Sequence, residues 1–114
     1  MKLTCIFDTA GIDGKDNKEA WNVMPSFMRL FIRQTQQKII QMLLAKNPGR
    51  EFQKTSGFRS PRVTARHGGK DHSHHHWGGA VDIARSLGDN PPLVDTCFVC
   101  VTEKDHYHIQ YKVE

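Results

Sequence analysis

The chain has 114 residues, 38% of them hydrophobic and 25% charged, with a formal net charge of +4 and a pI near 9.1. A chain of this length is expected to form one domain around one modest core, which excludes a second domain. The basic balance suits anionic cell-wall polymers, nucleic acid and a membrane surface equally, so charge selects no partner.

Residues 2–7 have strand character, with Leu3, Cys5 and Phe7 on one face. Asp8 follows before any apolar region of useful length can build, so no signal peptide is expected and synthesis in the cytoplasm is the expectation. No segment approaches the roughly 20 apolar residues of a membrane span. Residues 8–18 are polar and contain glycine, the signature of a loop. Pro25-Ser26 opens a helix that runs to about residue 46, where Phe27, Leu30, Phe31, Gln34, Lys38, Leu43 and Leu44 trace an imperfect amphipathic stripe. Asn47-Pro48-Gly49 ends it.

Residues 54–60 read as a strand, 61–73 as a long loop and 80–84 as a second strand, with Val81 and Ile83 facing one way and Asp82 the other. Residues 86–92 are turn-rich, and 96–101 and 106–113 are expected to form an antiparallel pair. The outline is α+β, a small antiparallel sheet with one main amphipathic helix. It forms a single domain over 1–114, with 1–25 an N-terminal strand and loop and 26–114 the core.

Two separated motifs carry the chemistry: Ser73-x-His75-x-x-Gly78-x-Ala80-x-Asp82, and Glu103-x-x-His106-x-His108 near the C-terminus. Brought together by a fold, His75, Asp82 and His108 supply two imidazoles and a carboxylate, leaving the fourth tetrahedral position of a zinc ion open for water. Structural zinc sites are usually closed by four protein ligands, so three ligands beside a free Glu103 point to hydrolysis. Strand parity turns His106, His108 and Gln110 to one face and Tyr107, Ile109 and Tyr111 to the core. Glu103 has the opposite parity to His108, so it reaches the site only if the chain bends around Lys104-Asp105. Gly78 and Gly79 permit a tight turn between the segment carrying His75 and the strand carrying Asp82.

These paired motifs, with Ser56-Gly57-Phe58-Arg59-Ser60 upstream, resemble the D-Ala-D-Ala carboxypeptidases and L-alanyl-D-glutamate endopeptidases, zinc peptidases of bacterial peptidoglycan. Lysostaphin-type peptidases and the hedgehog domain look like more distant relatives. The resemblance covers about residues 55–110 and implies a Zn2+ site made by His75, Asp82 and His108. It further implies Glu103 as general base and proton donor, and His106 and Arg59 as groups that stabilise the tetrahedral intermediate. Ser73 matches a serine assigned to substrate hydrogen bonding. A peptidoglycan or muropeptide substrate, action at the cell wall and, from the compact chain, a phage lysis role follow as expectations. Asp105 departs from the pattern, since many relatives carry an aromatic residue before the first histidine of the pair. Trimming a terminal D-Ala would need an additional cation, for which Arg62, Arg66 and Arg85 are candidates, whereas internal cleavage between L-Ala and D-Glu would not.

Competing readings come from other classes. A non-catalytic zinc-binding module would keep the ligands, but it has no need of Glu103. A basic nucleic-acid-binding protein or metal-dependent nuclease would use the same histidines and arginines, but the sequence lacks interleaved stacking aromatics and any nucleic-acid fold motif. Of the histidines between 67 and 76 only His75 has the spacing to Asp82, leaving His72, His74 and His76 as solvated or pocket-lining. Arg50, Lys54, Arg62, Arg66 and Lys70 form either a solvated face or an anion-attracting rim. Cys5, Cys97 and Cys100 are an odd count, expected as reduced thiols, and Cys97-x-x-Cys100 lies in an apolar run that suits buried free cysteines.

Overall fold

A computed structural model describes residues 7–69, 73–86 and 88–112. The architecture is α+β. Helices α1 (Gly11–Asn22), α2 (Ser26–Lys46) and α3 (Pro61–Arg66) accompany strands β1 (Lys54–Ser56), β2 (Ala80–Ala84), β3 (Phe98–Thr102) and β4 (His106–Tyr111), and a 3-10 turn spans His74–Trp77. The strands form one antiparallel sheet in the order β1-β2-β4-β3.

Alternation along the strands divides the sheet into two working faces. Val81 and Ile83 of β2 and Tyr107 and Ile109 of β4 are fully buried, packed with Phe52, Phe98 and the inner face of α2 at Ile39, Ile40, Met42 and Leu43. Each such side chain contributes about 1.5–3 kcal/mol by leaving water. Asp82, His106, His108 and Gln110 have the other parity and lie on the opposite face. Asn47 holds the end of α2 in place: its amide donates to the carbonyls of Leu43 (2.8 Å) and Leu93 (2.9 Å), and its side-chain oxygen accepts from Leu93 N–H (2.8 Å).

Helix α2 has the expected bounds but buries a different stripe. Ile32, Thr35, Gln36, Ile39, Ile40, Met42 and Leu43 face inward, whereas Phe27, Leu30 and Phe31 are 72%, 55% and 54% exposed. Both faces of its first half carry apolar residues, and tertiary packing selects the one headed by Ile32.

The expected N-terminal strand and loop is corrected in part, because Gly11–Asn22 is helical. Polar contacts rather than an apolar stripe fasten α1. Buried Asn17 accepts from Ser60 N–H (2.8 Å), Asp13 and Asp16 pair with Arg66, Asp16 also pairs with Arg62 (3.3 Å), and Asp13 pairs with His67 (2.6 Å). Trp21 adds an apolar contact with Ile32 and Phe58. Of the expected first strand, residues 2–6 lie outside the described residues, and Phe7 makes an isolated parallel bridge with Phe58.

The expected loop at 61–73 also contains a helix. Pro61 occupies the first turn of α3, and Ser60 Oγ caps it by accepting from Val63 N–H (3.2 Å), a start signal that Ser-Pro encodes locally. The strand expected over 54–60 stops at Ser56, where its pairing with β2 shifts register. Cys97 is exposed and Cys100 half-buried, both free, so the expected burial of this pair does not hold for Cys97. Arg62 and Arg66 bind the acids of α1, and Arg50 lies over the Phe52 ring. Arg62 nonetheless keeps its side chain 71% exposed, and Lys70 lies outside the described residues.

Candidate metal centre

The β2–β4 register sets the site. Asp82 pairs directly with His108, and Asp82 Oδ1 lies 2.8 Å from His108 Nδ1. His75 arrives from the 3-10 turn, with Nε2 3.4 Å from Asp82 Oδ2. That turn begins at Ser73, whose Oγ accepts from His75 N–H (3.2 Å), and closes at Gly78 in the left-handed region with φ 78°. A Cβ at Gly78 would stand 2.6 Å from the Ile32 carbonyl oxygen, so glycine is required both by the turn and by its approach to α2. His75 and Asp82 are each 3% exposed, while His108 opens toward solvent.

Both imidazoles are oriented from behind. His75 Nδ1–H donates to the Gly57 carbonyl (2.6 Å), leaving the Nε2 lone pair turned toward Asp82. His108 Nε2–H donates to Gln110 Oε1 (2.7 Å), leaving Nδ1 toward the same carboxylate. With those tautomers, acceptor lone pairs and carboxylate oxygens face one another across a short gap, an arrangement that requires a cation between them. Without metal, that cation is a proton. Burial alone would lower the His108 pKa, but hydrogen bonding to Asp82 and Gln110 outweighs it and raises the value above that of a free histidine. Burial likewise opposes ionisation of Asp82, yet His108 and His75 hold its carboxyl well below the usual range. One ligand atom from each of His75, Asp82 and His108 lies within 4.8 Å of the other two, so this group can hold a metal ion.

The remaining candidate site residues lie beside these three or along the neighbouring cleft. His106 Nε2 is 3.9 Å and Arg59 is 3.5 Å from Asp82 Oδ2, placing two cationic or N–H-bearing groups beside the same carboxylate. Asp105 Oδ1 accepts from His106 Nδ1–H (2.7 Å), which turns Nε2 toward Asp82. Glu103 comes from the β3–β4 hairpin. Thr102 pairs with Tyr107, and Glu103 N–H donates to the His106 carbonyl (2.9 Å), so Lys104-Asp105 is the bend between strands. Residues directly opposite in an antiparallel pair share a face, which returns Glu103 to the side of His106 and His108. Glu103, His108 and Gln110 line a cleft of about 690 Å³ that also reaches Ser73, His74 and Gly69. Ser73 accepts the capping bond, leaving its own hydroxyl proton for a second partner.

His74 lines the cleft and packs at a tilt against Trp77, with ring centroids 5.2 Å apart, and His76 hydrogen-bonds Thr64 (2.9 Å); His72 lies outside the described residues. The orienting acceptor at Gly57 had no sequence signal, because a backbone carbonyl can be supplied by any residue. Gln110 did have one, in its shared parity with His106 and His108. No protein-family model, curated protein or solved structure matches the chain significantly.

Proposed function

We propose that this chain is a zinc-dependent peptidase that hydrolyses peptide bonds in peptidoglycan stem peptides. The observation carrying this reading is the convergence of two imidazoles and one carboxylate, with one of them, His108, lining a cleft that Glu103 also lines. His75, Asp82 and His108 would hold the zinc, whose chemistry there would be to lower the pKa of a bound water and polarise the scissile carbonyl. Glu103 takes the proton from the attacking water and delivers it to the leaving amine. His106 and Arg59 provide positive charge and N–H donors beside the developing oxyanion.

Internal cleavage between L-Ala and D-Glu is favoured over removal of a terminal D-Ala. Among the described residues, Arg62 and Arg66 are engaged by Asp16 and Asp13, and Arg85 donates to the Glu103 carbonyl (2.9 Å) while lying over the Tyr107 ring. None of the three lines the cleft, leaving the substrate's terminal carboxylate without its candidate partner. No helix among the described residues is long and apolar enough to cross a membrane; action at the wall follows from the proposed substrate.

The test is digestion of purified peptidoglycan by zinc-loaded, chelator-treated and Glu103→Gln protein, with released peptides and new amino termini identified by mass spectrometry. New D-Glu amino termini that require zinc and Glu103 support the reading. Tight zinc binding with no cleavage of wall or soluble stem peptides assigns the chain instead to non-catalytic metal binding.

A further inference from the structure

The first half of α2 presents an apolar surface unrelated to metal chemistry. Phe27, Leu30 and Phe31 are more than half exposed, Met28 is 43% exposed, and Val23, in the connection from α1, is 84% exposed. Phe31 continues onto Trp77 at a ring-centroid distance of 6.5 Å, and Phe27, Met28, Phe31 and Trp77 line an open groove of about 320 Å³. The inner face of the same helix is already buried at Ile32, so these outward side chains have no place in the protein core. A helix apolar on both sides over its first turns calls for a second covering surface.

The surrounding charge identifies that surface. Residues 20–50 contain Arg29, Arg33, Lys38, Lys46 and Arg50 and no Asp or Glu. Arg33 and Lys38 are exposed, with the Arg33 guanidinium 5.4 Å from the Trp21 ring centroid. Aromatic and aliphatic knobs beside a solely cationic helix match a bilayer interface, where the knobs enter the acyl boundary and the cations meet anionic headgroups. A soluble polyanion would satisfy the cations but offers no hydrocarbon to Phe27, Leu30 and Phe31. We infer that the N-terminal half of α2, with Val23 and Trp77, is a peripheral docking surface for anionic lipid bilayers, on which the protein lies without crossing.

The test is co-sedimentation of the full chain with phosphatidylcholine vesicles and with mixed phosphatidylcholine and phosphatidylglycerol vesicles, at low and high salt. Binding to the anionic vesicles is expected, with loss of roughly tenfold or more in partition for Phe27→Ser/Phe31→Ser. Arg29→Gln/Lys38→Gln removes two cations and is expected to lower partition at low salt by roughly tenfold. Thermal melts and metal binding establish that each variant is folded, and the charge pair tests the surface independently if the aromatic pair fails to fold. Failure of the wild type to bind anionic vesicles, or equal binding by folded wild type and both variants, overturns the assignment. A dimer in sedimentation that Phe27→Ser/Phe31→Ser dissolves, without vesicle binding, gives the surface to a second copy and also overturns it. Retention on soluble anionic wall polymer with no vesicle binding overturns it in favour of the polymer. The vesicle experiment needs no peptidase activity, so its failure is distinct from failure of the proposed reaction.

Discussion

Asp82 and His108 stand directly opposite each other on β2 and β4, with carboxylate Oδ1 2.8 Å from imidazole Nδ1. The neighbouring pairs, Val81 with Ile109 and Ile83 with Tyr107, are fully buried on the other face of the sheet. A slip of one residue would bring Tyr107 or Ile109 opposite Asp82 and expose the core set, so hydrophobic registration of the sheet also assembles the candidate metal centre. Replacing His108 or Asp82 by Ala is expected to weaken zinc binding by more than about 100-fold, beyond the range associated with outer hydrogen-bond partners. Chelator competition measures the affinity, and full metal retention in His108→Ala would remove it from the ligand set.

Glu103 reaches the cleft through the hairpin and is not one of the three candidate ligands. Glu103→Gln is expected to retain zinc at wild-type affinity and to lower turnover by roughly 10²–10⁴, the range for loss of a general acid–base group. Comparing metal content with the rate of stem-peptide cleavage separates the two effects. Unchanged turnover would exclude Glu103 as the base.

Gln110 orients His108 without reaching the metal position. Gln110→Leu removes the acceptor at 2.7 Å from Nε2 and frees the imidazole to place its proton on Nδ1. Zinc affinity is expected to fall by about 10–100-fold while the fold persists, because Gln110 is only partly buried. Gln110→Glu supplies the acceptor again and is expected to recover most of the affinity, which distinguishes orientation from bulk. Equal affinity in wild type and Gln110→Leu would exclude tautomer control by this residue.

Much of this site was legible because its ligands lie on β2, β4 and a short turn, where spacing translates directly into facing. Asp82 and His108 follow strand parity, and the bounds of α2 follow Pro25-Ser26 and Asn47-Pro48-Gly49. Glu103 illustrates where linear parity stops: its distance along the chain turns it away from His108, while the hairpin's cross-strand pairing with His106 turns it back. Helix α1 was hidden because Asn17, Asp13 and Asp16 fasten it through partners more than forty residues away, and those polar residues read locally as a loop. The buried stripe of α2 was misplaced because Phe27 and Phe31 outrank Ile32 in size, whereas packing against the sheet depends on direction.

Protonation and metal compete for the same lone pairs, which gives the site a pH signature. The folded His108 pKa lies above the ordinary value of about 6.5. In metal-free protein its stabilising contribution is therefore complete below that value and is lost as pH rises through the folded pKa. Zinc binding displaces the proton, so affinity rises over the same interval. The Tm difference between zinc-loaded and chelated protein is expected to widen as pH rises from about 6.5 through the raised folded pKa of His108. A difference independent of pH would show that zinc does not displace a proton from His108.

The α1–α3 clamp responds to acid in the opposite sense. Hydrogen bonding to His67 and then Arg66 lowers the Asp13 pKa, and hydrogen bonding to Arg66 lowers that of Asp16 against the opposing effect of burial. Carboxyls depressed in the folded state stabilise it above their unfolded pKa of about 3.9, and this contribution is lost as pH falls through the folded values. Asp13→Asn/Asp16→Asn is therefore expected to lower Tm clearly at neutral pH and progressively less as pH falls below about 3.9 and through the lowered folded values, where the wild-type carboxylates become protonated as well. Thermal melts of metal-free wild type and variant across that interval isolate the clamp from zinc binding. A Tm difference of constant size from neutral to acid pH would assign the effect to altered packing of α1 against α3, since packing does not titrate with these carboxyls.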